Sequence, residues 1–174
     1  MGYTNYFNIK KTITADARAK MVTFVNKAIT LIPDIKICGW DGTGEPTINE
    51  KSIMFNGDGA EGLDHETFSL YGDGDTFNFT KTACKPYDIL VKAVLMYATD
   101  LNMLSKKEPW HFDGYKHESE YVEAQKLYLQ NLTYELGYLC GFIFYSIWML
   151  YIKETTWVQL KECIWIDVRN GHPF

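Results

Sequence analysis

The stretch Thr76-Phe77-Asn78-Phe79-Thr80-Lys81-Thr82-Ala83-Cys84-Lys85-Pro86-Tyr87-Asp88-Ile89-Leu90-Val91-Lys92-Ala93-Val94 contains a change of period. Phe77 and Phe79 alternate with polar residues, as along a strand, whereas Ile89, Leu90, Ala93, Val94 and Tyr97 recur at helical spacing. Proline is tolerated in a first helical turn because its missing N–H has no partner there, so the pattern predicts a helix starting at Pro86. Upstream, residues 3–13 read as a strand. Thr14 reads as the cap of a helix whose Ala17, Met21, Phe24, Val25, Ala28, Leu31 and Ile32 share one face. Ile35 with Ile37, residues 52–56 and residues 65–71 read as further strands, and Gly72-Asp73-Gly74-Asp75 as a hairpin turn into Thr76. The order β-α-β-β-β-β-α predicts an α+β fold, a mainly antiparallel sheet with helices packed on one face.

Downstream the composition changes. Residues 105–116 are polar and loop-like, Ser119 is placed to cap a helix through Val122, Leu127 and Leu132, and residues 136–152 carry no charge. Such a run approaches the lower length limit of a membrane-spanning helix, about 17–25 residues. Tyr138, Tyr145 and Tyr151 within it, and the strand-like alternation of Ile164, Ile166 and Val168 after it, favour a buried helix or an oligomer interface instead. The expected organisation is an α+β core over 1–104 and an aromatic-rich, mostly helical C-terminal extension over 105–174. That extension is expected to pack on the core or build a homo-oligomer.

A net charge of −5 argues against binding along a nucleic-acid backbone, which calls for a basic stripe. Cys38, Cys84, Cys140 and Cys163 lie far apart with no paired spacing, which predicts free thiols, no zinc site and a cytoplasmic setting. The acidic turns at Asp41, Asp58 and Asp73 lack the spacing and terminal glutamate of an EF-hand, so no metal or other cofactor is expected.

Three constellations remain as candidates for chemistry. Lys81, Thr82 and Lys85 gather ahead of the predicted helix N-terminus, where unpaired N–H groups and the helix dipole favour an anion. Glycines are absent, which excludes a P-loop. His65 and Thr67 fall on one strand face, and His117 with Ser119 repeats the residue types, the elements of a two-histidine phosphodiesterase. Trp110, His111, Phe112 and Tyr115 supply flat rings of the kind that stack a nucleobase.

The opening Met1-Gly2-Tyr3-Thr4-Asn5-Tyr6, the His65-Glu66-Thr67-Phe68 segment and Lys81-Thr82-Ala83-Cys84-Lys85-Pro86-Tyr87-Asp88 together resemble a family of small uncharacterised phage and prophage proteins. Those proteins open M-G-Y-T-x-Y and carry H-E-T-F and K-T-A-R-K-P-Y-D in the same order. The resemblance covers roughly residues 1–100, and Cys84 stands where the family motif has arginine. It implies a phage accessory role against host defence. The expected function is a binding protein that sequesters a small anionic, nucleotide-like ligand without turning it over. Lys81, Thr82, Lys85, His65, Thr67, Trp110 and Tyr115 are its expected ligand-binding residues. The rivals are an inhibitor that binds a host defence protein directly and the two-histidine phosphodiesterase.

Overall fold

The computed structural model describes residues 3–71, 76–105, 109–116 and 118–135. The chain divides into two compact units, Met1–Leu132 and Thr133–Phe174, so the first unit runs past the boundary expected at residue 104. The expectations for residues 72–75, His117, the uncharged run 136–152 and the strand-like segment after it lie outside the described residues.

The first unit is α+β. Strands β1 (Thr4–Ile9), β5 (Thr76–Lys81) and β6 (Trp110–Phe112) form one antiparallel sheet in the order β5-β1-β6. Strands β2 (Thr47–Ile48), β3 (Ile53–Phe55) and β4 (Phe68–Ser69) form a second, in sequence order. Strand β6, which lies in the expected extension, pairs with the middle strand: Tyr6 lies opposite His111 and Phe7 opposite Trp110.

Helix α1 (Ala15–Leu31) starts where Thr14 predicts, the Thr14 hydroxyl accepting the Ala17 N–H at 3.2 Å. It buries Ala17, Met21, Phe24, Val25 and Ala28, the face read from the spacing. Thr14→Ala removes that acceptor and is expected to lower stability by about 1 kcal/mol in urea unfolding. Helix α2 (Asp88–Asp100) stacks Tyr97 on Phe24, ring centres 4.3 Å apart. Helix α3 (Ser119–Glu135) adds Asn131, whose buried side-chain amide donates to the Phe24 carbonyl at 2.8 Å. Phe7 and Phe55 both pack against Phe68, so one apolar core serves both sheets.

Three local expectations are corrected. Ile35 and Ile37 form no strand. Only Cys38 bridges to Asn56, before the chain turns back with the Gly39 N–H on the Thr43 carbonyl. The strand over 65–71 shrinks to Phe68–Ser69, because the Asn56 side chain bonds both the N–H and the carbonyl of His65 and bends the segment. Helix α2 begins at Asp88 rather than Pro86. Ala83 and Cys84 adopt left-handed backbone angles (φ 49° and 55°), and a tight turn follows in which the Lys85 N–H bonds Thr82 and the Asp88 N–H bonds Lys85. No helix among the described residues is long and apolar enough to cross a membrane.

Candidate functional site

The turn expected to receive an anion is already occupied by the chain itself. The Thr82 hydroxyl is buried and donates to the Asp88 carboxylate at 2.7 Å. Lys85 Nζ donates to the Gly62 carbonyl at 2.7 Å. The first N–H groups of α2 bond Lys85, Pro86 and Tyr87 carbonyls in successive tight turns, which leaves few of the open donors that an anion needs. His65 Nδ1 meets the Lys81 carbonyl at 2.9 Å, and the Thr67 hydroxyl donates to the Trp40 carbonyl. Trp110 is also turned inward, stacked with Phe112 and Tyr121 against the core. Tyr115 stays 68% exposed.

Lys81 is different. Its ammonium sits 3.6 Å from Glu66 Oε1, and both side chains remain substantially exposed. Such surface pairs contribute only about 0–1 kcal/mol, and the Glu66 carboxylate also accepts the Lys81 N–H at 2.8 Å. Lys81 also lies 5.5 Å from the centre of the Phe79 ring, which opens the face that the sequence reading did not identify.

That face is the outer side of the first sheet. Register puts Lys81, Phe79 and Phe77 of β5 beside Thr4, Tyr6 and Asn8 of β1, and His111 of β6 beside Tyr6. Phe77 and Phe79 are 60% and 50% exposed, their rings 6.3 Å apart. Tyr6 stacks on Phe77 at 6.2 Å and on His111 at 4.8 Å. Four rings thus form one open surface with a cation at its end.

Phenylalanines face outward here because a polar network fills the inner side. Asp88 Oδ1 accepts from Asn5 Nδ2 and from Thr82, each at 2.7 Å, while Asp88 Oδ2 pairs with Lys92 Nζ; all four residues are buried. Lys92 has the Tyr3 ring at 4.5 Å and the Phe112 ring at 5.4 Å. Burial pushes its ammonium down to about 8, against the opposing pull of Cys84, Glu120 and Glu118. The Tyr3 hydroxyl, itself raised well above the ordinary tyrosine value by burial and by Glu118, donates to Glu118 at 3.4 Å. The network has no exposed face at Lys92, Asp88, Asn5 or Thr82, so its role is to hold β1, the 82–88 turn and α2 together.

No group of three or more His, Cys, Asp or Glu residues is placed to hold a metal among the described residues. No family model, curated protein or solved structure matches the chain.

Proposed function

We propose that this chain is a non-catalytic binding protein that holds a planar, anionic, nucleotide-like ligand on the outer face of the β5-β1-β6 sheet. The observation that carries this reading is the row of exposed rings, Phe77 and Phe79 beside Tyr6 and His111, ending at Lys81. Aromatic side chains contribute roughly 1–3 kcal/mol per stacked base, and an ammonium at the row's end suits a phosphate or carboxylate. In this arrangement His65 and Glu66 brace Lys81 through its backbone, and Thr82 and Lys85 fix the turn behind it. The motif resemblance supplies the setting: a phage accessory protein that withholds a nucleotide signal from host defence.

The test is a melting-temperature screen against cyclic and ADP-ribose-type nucleotides. A ligand at a hundredfold above Kd stabilises by about 2.7 kcal/mol. Phe77→Ala/Phe79→Ala is expected to remove that shift while still folding without ligand, since both rings lie outside the core. A panel in which no nucleotide moves the melting temperature ends this reading. The same exposed phenylalanines also favour a second one, direct covering of a host protein. Co-purification from host lysate that is lost in the double variant, with the nucleotide panel silent, selects it.

A further inference from the structure

The backbone of β5 carries information that its side chains do not. On one side Thr76, Asn78 and Thr80 lie opposite Ile9, Phe7 and Asn5 of β1. On the other side, at Lys81, the carbonyl accepts the Glu66 N–H at 3.1 Å and the N–H donates to the Glu66 carboxylate at 2.8 Å. Backbone groups of a strand alternate in direction, so the N–H and C=O of Phe77 and Phe79 point the same way as those of Lys81, away from β1. Among the described residues they have no hydrogen-bond partner, and β5 is the last strand of its sheet. Strand edges of this kind are usually protected by proline, a bulge, an internal lysine or a covering segment. Among the described residues none of these protects Thr76–Thr80, and Glu66 closes the edge at its Lys81 end.

The sequence at this edge reads the same in both directions, Thr-Phe-Asn-Phe-Thr, centred on Asn78. We infer that a second copy of this chain pairs with it, β5 against β5 in antiparallel register about a two-fold axis through Asn78. This goes beyond the ligand reading and does not depend on it. Phe77 of each copy then faces Phe79 of the other, which satisfies the four N–H and C=O pairs left open, and the two sheets join as β6-β1-β5-β5-β1-β6. The facing rings fall on one side of the joined sheet, where cross-strand aromatic pairs are favourable. The contact is self-complementary, as a two-fold dimer requires.

The experiment is sedimentation velocity of the full chain over a wide concentration range, together with cysteine trapping under mild oxidation. In this register the two Asn78 residues form a non-hydrogen-bonded pair with Cα atoms about 4.5 Å apart, within reach of a disulfide. Asn78→Cys is expected to give a disulfide-linked dimer several-fold above the background from the native cysteines. Thr80→Cys, which faces Thr76 of the other copy, is expected to stay at background. Phe77→Pro removes an N–H that points away from β1 and is expected to sediment as a folded monomer. A chain that is monomeric at every concentration overturns the inference. So does a dimer in which Asn78→Cys cross-links no more than the parent chain, or in which Thr80→Cys cross-links equally well; either places the contact elsewhere.

Discussion

Lys92→Met is expected to lower the stability of the fold by about 3–5 kcal/mol at neutral pH, the range seen when one partner of a buried ion pair is removed. The cost does not come from losing an attraction. The Lys92 ammonium is wholly buried, and Asp88 Oδ2 is its ion-pair partner. Methionine matches the length and much of the volume of the lysine stem, so packing against Tyr3 and Phe112 is largely kept. What changes is that the Asp88 carboxylate is left in a dry interior with only the Asn5 and Thr82 donors, both on Oδ1. Asp88→Asn added to Lys92→Met removes the stranded charge and is expected to recover a large part of the loss. Urea unfolding of the parent, the single and the double variant measures the difference. A single variant within about 1 kcal/mol of the parent shows that the pair is solvated or dispensable, and that the 82–88 turn is held by other contacts.

This pair also shows how far the sequence could be read. Helix α1 was legible at its cap and along its stripe from Ala17 to Ala28, because these follow from local rules that the core reinforces, whereas Leu31 is only partly buried and Ile32 lies just past its end. Strand β5 was legible as a strand, but alternation reports only that two faces differ, not which one is buried. Phe77 and Phe79 mark one of those two faces. The structure turns them out because Asn5, Thr80, Thr82, Asp88 and Lys92 occupy the interior beneath that end of the sheet. The available signal was a lysine four residues after an aspartate, inside the otherwise apolar run from Ile89 to Leu95. The partners that the chain itself supplies to the expected anion turn were hidden for a related reason. Residue types gave the cations and the hydroxyl, but the carboxylate and the carbonyls that engage Thr82 and Lys85 come from Asp88 and Gly62, and only the folded chain brings them there.

Gly57→Ala is expected to cost about 3 kcal/mol or more, because an added methyl meets backbone that can give way only by moving a hydrogen-bonded loop. A Cβ on Gly57 lies 2.1 Å from the Leu63 carbonyl oxygen, 2.8 Å from its carbon and 3.0 Å from Cδ1 of Tyr87. Neither neighbour yields easily. Leu63 is fixed by its own N–H on the Asp58 carbonyl at 2.8 Å. Two residues on, the Asn56 side chain holds both backbone groups of His65 while also accepting the Gly57 N–H at 2.9 Å. Tyr87 is fully buried, with its hydroxyl on the Glu66 carbonyl at 2.7 Å. A methyl therefore pushes the 57–66 loop outward as a unit and carries Glu66 away from Lys81, so the variant is expected to loosen the cationic end of the aromatic face as well as the fold. Gly44→Ala separates sterics from backbone preference. Gly44 sits at φ +60° with nothing within 4 Å of its Cβ position, so its cost is conformational alone, about 1 kcal/mol. Urea unfolding in which Gly57→Ala costs no more than Gly44→Ala would mean that the 57–66 loop relaxes freely and exerts no hold on Lys81.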